Sequence, residues 1–324
     1  MRTDTKNRIL KYIEIHKHAR VHDLIGVLGI TTASIHRQLN KLTEDGKIEK
    51  IGKPPKVYYQ ISSNKISEVV HVSNKTHEII NDRYLFISPT GESLEGWEGF
   101  LAWCKKTNQD PEKTANEYLS SINKFDKFKI DGYINGLPKM KNTFKNVFLD
   151  KLYYLDFYSI ERFGKTKLGQ LLLYAKQSQN TVLINQLVNN IRPAIQMLIK
   201  KNNIDGIVFI PPTVKREVQF MRELERILNL DIRTLLITKI KTEIIVPQKT
   251  LSKLEDRVEN ARQTIIIDDK KIYNNILLID DAVGSGATMN ETAKQIKDKK
   301  LVSGKIIGLA ITGSFKGFDV ISEV

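Results

Sequence analysis

Along the first sixty residues, apolar positions recur first at helical and then at strand spacing. Residues 5–18 carry Ile9, Leu10, Tyr12, Ile13 and Ile15, dense enough to predict a buried first helix. His22-Asp23 open a short second helix with Leu24, Ile25, Val27 and Leu28, and Gly29 breaks it. Thr31 and Thr32 supply hydroxyl caps for a third helix. In that helix Ile35, Leu39 and Leu42 fall at i, i+4 and i+7 and face the core, with Gly46 placed as its stop. Ile48 to Ile51 and Val57 to Ile61 alternate as two strands across the turn Gly52-Lys53-Pro54-Pro55-Lys56. Further on, Trp97, Phe100, Leu101 and Trp103 predict an amphipathic helix. Asp110-Pro111-Glu112 start another, whose apolar face runs through Ala115, Tyr118, Leu119 and Ile122. Ile207 to Ile210, Leu235 to Ile237 and Ile276 to Ile279 are unbroken apolar runs, typical of strands buried on both faces.

Charge changes the picture. The 324 residues hold 51 Lys plus Arg against 37 Asp plus Glu, a net of +14, which favours polyanionic partners. The excess is densest at the start: residues 1–75 hold 14 basic and 7 acidic side chains. All six histidines lie at or before His77, so the rest of the chain cannot build a Ser-His-Asp or Cys-His centre or a His-containing metal site. The single cysteine, Cys104, excludes an internal disulfide and a Cys-cluster zinc site. Beside Trp103 it reads as a buried, inert thiol. No apolar run approaches the ~20 residues of a membrane span, and no apolar signal segment follows the N-terminus, so a cytoplasmic protein is expected.

Helix, helix, turn, helix and hairpin within residues 1–62 resemble a winged helix-turn-helix. The resemblance implies double-stranded DNA as partner, with the third helix in a major groove. Its outward residues are Thr32, Ser34, His36, Arg37, Asn40 and Lys41. His36 and Arg37 suit base edges, while Lys41 and the hydroxyls of Thr32 and Ser34 suit phosphates. Lys53 and Lys56 would form the wing. Winged helices also serve protein contact or dimerisation; the basic excess and the polar helix face favour DNA. A homodimer is expected, because such regulators read paired half-sites.

The densest chemistry lies at residues 276–288, where four apolar residues are followed by Asp280, Asp281, Ala282, Val283, Gly284, Ser285, Gly286, Ala287 and Thr288. Glycines let backbone N–H groups converge on a phosphate, and the helix that begins near Met289 adds its dipole. Ser285 and Thr288 add hydroxyl donors. The two carboxylates would repel a phosphate and instead suit sugar hydroxyls or hydrated Mg²⁺. The loop has no lysine, as a P-loop requires, and Met289 stands where a dinucleotide fingerprint has its third glycine.

This order resembles the phosphoribosyl pyrophosphate (PRPP) signature of type I phosphoribosyltransferases. Other segments resemble the ComF-like branch: Tyr158, Phe163, Gly164 and Leu168 with Leu171 to Lys176 as opening strand and helix, then Ile207 to Pro212. The resemblance covers residues 151–324 and implies an α/β fold, a parallel sheet flanked by helices. It places PRPP on Asp280, Asp281, Gly284, Ser285, Gly286, Ala287 and Thr288. Thr213, Lys215 and Arg216 become the pyrophosphate loop, and Lys239, Lys241 and Arg257 belong to the hood. Mg²⁺ would be held mainly through the ligand. Residues 63–150 are left as a mainly helical connector. Gly284 stands where purine-salvage members carry a carboxylate that acts on the base, and no catalytic residue is assigned. A DNA-binding transcriptional regulator that senses PRPP or a related ribose phosphate is therefore preferred to an active phosphoribosyltransferase with a regulatory winged helix. A ComF-like role in DNA uptake or processing is the third reading.

Overall fold

The computed structural model describes residues 2–62, 70–212, 216–240, 243–244, 246 and 250–315. The chain divides into two units, Met1–Val70 and His71–Val324.

The first unit holds α1 (Arg2–His16), α2 (Val21–Leu28), α3 (Thr32–Glu44), β1 (Ile48–Lys53) and β2 (Lys56–Ile61). Its core gathers Ile9, Ile13, Leu24, Ile35, Leu39, Leu42, Ile48 and Tyr59. Asp23 Oδ2 accepts from the Arg20 backbone N–H at 2.8 Å to cap α2. Gly29 ends that helix at φ +66. Ala19 pairs with Tyr59 through N–H···O bonds of 2.9 and 2.8 Å in the two directions, adding a third partner to the hairpin. Two apolar positions depart from expectation: Ile15 and Val27 are exposed. Ile9 and Ile13 share one face at i, i+4, and Ile15 lies two residues further round the helix. At Gly52, φ is +84 and a Cβ would run into the Lys56 carbonyl, so the wing needs glycine there.

In the second unit, helices and short strands alternate up to the main sheet. They are α4 (Asn74–Arg83), β3 (Leu85–Ile87), β4 (Ser93–Glu95), α5 (Gly96–Thr107), α6 (Pro111–Asp126), β5 (Lys129–Ile130), β6 (Tyr133–Asn135) and α7 (Leu137–Thr143). Then come β7 (Lys151–Phe157), α8 (Lys167–Ser178), α9 (Thr181–Lys201), β8 (Gly206–Phe209), α10 (Phe220–Leu228), β9 (Ile237–Lys239) and α11 (Leu254–Thr264). The last elements are β10 (Ile265–Ile267), β11 (Ile276–Val283), α12 (Ala287–Asp298) and β12 (Ile306–Gly313). Six strands form one sheet in the order β5-β6-β7-β12-β11-β8. The four from β7 to β8 are mutually parallel, and β5 and β6 add antiparallel pairs at one edge.

The unbroken apolar run of β11 is explained by burial on both sides. Ile276 and Leu278 enter a core with Ile306, Ala310 and the α12 residues Met289, Ala293 and Ile296. Leu277 and Ile279 enter a second core with Leu171, Leu172, Leu187 and Leu224 of α8, α9 and α10. Full burial of each such side chain is worth about 1.5–3 kcal/mol. The segment read from the sequence as a mainly helical connector, residues 63–150, shares the first of these cores through Phe100, Tyr118, Ile122 and Phe125, and lends β5 and β6 to the sheet. These strands are two and three residues long, too short for an alternation to be read. Cys104 is fully buried there, and burial pushes its thiol up to about 12. The run Leu235 to Ile237 is also not a full strand of the main sheet. Thr234 bridges to Ile207, after which the chain turns into β9, antiparallel to β10.

Candidate nucleic-acid interface and phosphate crevice

Helix α3 presents a polar surface because its large apolar side chains, Ile35, Leu39 and Leu42, are used inward. Thr31 caps it: its Oγ1 accepts from the Ser34 N–H at 3.3 Å and donates to Ser34 Oγ at 3.0 Å. Ser34 is half-buried and its hydroxyl is engaged with the cap. Thr32, His36, Arg37, Asn40 and Lys41 are exposed. Lys53 and Lys56, also exposed, face each other as the pair closing the β1–β2 turn. The Arg20 guanidinium lies 4.5 Å from the centre of the Tyr58 ring and donates to its hydroxyl, tying the start of α2 to the hairpin. Nothing in the spacing of Arg20 and Tyr58 announces that contact.

The crevice is built where β11 stops being apolar. Asp280 and Asp281 are half-buried at its carboxyl end, the side of an open α/β sheet where ligands bind. Gly286 takes φ +77 as N-cap of α12, and Ala287 begins the helix buried. Gly284, Ser285 and Thr288 are half-buried around them. Ser285 Oγ accepts from the Ala287 N–H at 3.4 Å. Asn290 anchors α12 from within: its Oδ1 accepts from Phe148 N–H and its Nδ2 donates to the Asn146 carbonyl, both at 2.9 Å.

Burial, and then the adjacent Asp281 carboxylate, push the Asp280 carboxyl up to about 8. Its Oδ1 accepts from the Asp281 N–H at 2.8 Å. Lys176, from the last turn of α8, sets its Nζ 2.5 Å from Asp281 Oδ2. Lys239, on β9, is attracted by Asp280, and burial pulls its ammonium below the usual lysine range. The crevice thus brings two carboxyls and two lysines together; Lys176 was not among the residues singled out from the sequence.

The remaining expected ligands are placed less directly. Arg216 donates from Nη1 to the Lys176 carbonyl, and its Nη2 lies 3.5 Å from Gln177 Oε1, so it caps the end of α8. Arg257 is buried in α11, its Nε donating to the Leu251 carbonyl at 2.7 Å, and desolvation lowers its proton affinity. Thr213, Lys215 and Lys241 lie outside the described residues. A cavity of about 560 Å³ opens at the carboxyl end of β8, with Phe209, Pro211, Arg216, Arg222, Leu235 and Lys239 in its wall. Among the described residues, no cluster of three or more His, Cys, Asp or Glu side chains could hold a metal ion. Among them, too, no helix is long and apolar enough to cross a membrane.

Three helices, a two-stranded hairpin and an outward polar helix face define the first unit as a helix-turn-helix domain of the DNA-binding class. Residues 6–52 match the DeoR-like helix-turn-helix domain family. No curated protein matches the chain. The domain match supports a DNA-binding transcriptional regulator, within a mixed α/β chain whose second unit carries a mostly parallel six-stranded sheet.

Proposed function

We propose that this chain is a transcriptional regulator whose second unit holds PRPP or a related ribose phosphate, and whose ligand and DNA affinities are coupled. The observation that carries the reading is the pairing of two half-buried carboxyls at the end of β11 with a Gly-Ser-Gly turn at the N-terminus of α12. One end suits a sugar diol, the other a phosphate. Burial and the adjacent Asp281 carboxylate favour the protonated form of Asp280, and Asp281 is matched by Lys176. The pair therefore suits hydroxyl groups better than a directly bound divalent cation, and Mg²⁺ would take its ligands from the ribose and pyrophosphate. When bound it supplies charge neutralisation to the pyrophosphate; Asp280 and Asp281 orient the diol, and the α12 backbone N–H groups hold the phosphate. Reciprocal coupling of the two affinities is typically about 1–3 kcal/mol. A homodimer would present two copies of α3 to paired half-sites.

Calorimetric titration with PRPP and Mg²⁺ tests the ligand. The wild type is expected to bind and the Asp280→Asn/Asp281→Asn variant to lose binding; no heat up to millimolar PRPP in the wild type rejects the ligand assignment. On DNA, Arg37→Ala is expected to relax sequence choice by about 1–3 kcal/mol at one base pair, as for an arginine bidentate to guanine. Lys53→Ala is expected to weaken all sequences alike and to reduce the salt slope by about one. Uniform weakening by Arg37→Ala across an operator panel would remove it from base readout. The cavity beside Lys239 has room for a nucleophile and keeps a transferase as the second reading, which pyrophosphate release across a panel of bases would establish.

A further inference from the structure

Lys176 is the crevice residue whose position a folding role explains least. Its ammonium lies 2.5 Å from Asp281 Oδ2, with both side chains largely removed from water, at 16% and 19% exposure. Desolvating two charges offsets most of their attraction, so such a pair is weak evidence of a stability device. Here the pair sits at the carboxyl end of β11, against a second carboxyl, Asp280, and ahead of the α12 N-terminus. The backbone that carries Lys176 is pinned. Arg216 donates to the Lys176 carbonyl, and Gln179 Oε1 accepts from the Val218 N–H at 2.7 Å. The flexible lysine stem is then the part free to re-aim.

We infer that Lys176 is a phosphate-binding residue of the crevice that exchanges partners: ribose hydroxyls take over Asp281, and the released ammonium meets a phosphate of the same ligand. The inference rests on the ribose-phosphate reading for the identity of the ligand, while the lysine's affinity for phosphate can be tested without it. The exchange gives selectivity. A sugar without phosphate would strip Lys176 from Asp281 and leave a half-buried ammonium unpaired. A phosphate without the diol would compete with Asp281 for the lysine. Only a ligand with both groups satisfies both side chains at once.

The test is a double-mutant cycle on the full chain, with inorganic pyrophosphate and with PRPP as separate probes, both in Mg²⁺. For pyrophosphate, which has no diol, Asp281→Asn is expected to tighten binding because Lys176 is released. Lys176→Met is expected to weaken it by about 10–100-fold, the range for a hydrogen bond to a charged group, and Lys176→Arg to recover part of the loss. In the Asp281→Asn background, Lys176→Met must still weaken pyrophosphate binding, and the loss must shrink at high salt. A lysine that only neutralised Asp281 would have no effect in that background, and this result overturns the inference. So does the absence of pyrophosphate binding to both the wild type and Asp281→Asn. Melting curves of each variant separate misfolding from lost contact. If the pyrophosphate cycle behaves as expected but the wild type ignores PRPP, Lys176 stands as a phosphate residue and the ribose-phosphate reading falls.

Discussion

Leu39→Ala is expected to unfold the first unit and abolish DNA binding. Leu39 is fully buried in a core of ten residues drawn from α1, α2, α3, the hairpin and Ala19 between the first two helices. Truncating a buried leucine costs about 2–5 kcal/mol, because the cavity collapses only in part. A core of this size seldom supplies more than about 3–5 kcal/mol of net stability, so the substitution removes most or all of it. The neighbours Ile35 and Leu42 lie on the same face of α3 and cannot fill the gap without moving the helix that presents Arg37. Both tryptophans, Trp97 and Trp103, belong to the second unit. Urea titration followed by DNA binding therefore reports the first unit, and tryptophan fluorescence the second. At a slope near 1 kcal/mol/M for a small domain, that loss of stability lowers the DNA-binding midpoint by about 2–5 M, to near zero urea. An unchanged midpoint would mean that α3 is not a core helix.

Asp280→Asn is expected to stabilise the second unit as pH rises while it impairs the ligand site. In the folded chain the Asp280 carboxyl is raised from 3.8 to about 8. Below pH 4 it is protonated folded or unfolded and costs nothing. As pH climbs towards 8 the unfolded chain releases the proton and the folded chain keeps it, so stability falls across that window. Asparagine keeps the shape and has no proton to lose, so the variant lacks this loss. A tenfold change in proton affinity is about 1.4 kcal/mol, which makes the gain near pH 8 a few kcal/mol, reduced by whatever relief Lys176 and Lys239 provide. Urea unfolding followed by tryptophan fluorescence at pH 5, 6, 7 and 8 measures it. A wild-type minus variant difference that does not change with pH would show that Asp280 titrates normally. Gain of stability with loss of PRPP binding would mark a position kept for binding at the expense of folding.

Elements held by local signals were legible in the chain. The i, i+4, i+7 spacing of Ile35, Leu39 and Leu42, the Thr31 cap and the Gly29 stop all depend on atoms within a turn of one another, and each stands where it was read. The Ile276 to Ile279 run and the turn into α12 were equally local. Ile15 and Val27 misled because apolar content alone does not say which side of a short helix meets the core. The strands β5 and β6 escaped notice because two or three residues carry no period, and they form only by adding to β7.

What the sequence by itself determined is therefore the kind of surface each unit offers: an exposed polar helix face, and carboxyls followed by glycines at the end of a buried strand. The tertiary structure alone decided the partners. Lys176 and Asp281 are separated by 105 residues, and Arg216 reaches back 40 residues to the α8 carbonyl. Such pairs are set by how α8, β8 and β11 stack in one unit, since no propensity or period links residues that far apart. The burial that lifts Asp280 belongs to the same level, because desolvation is a property of everything packed around a group and not of the residues beside it in the chain.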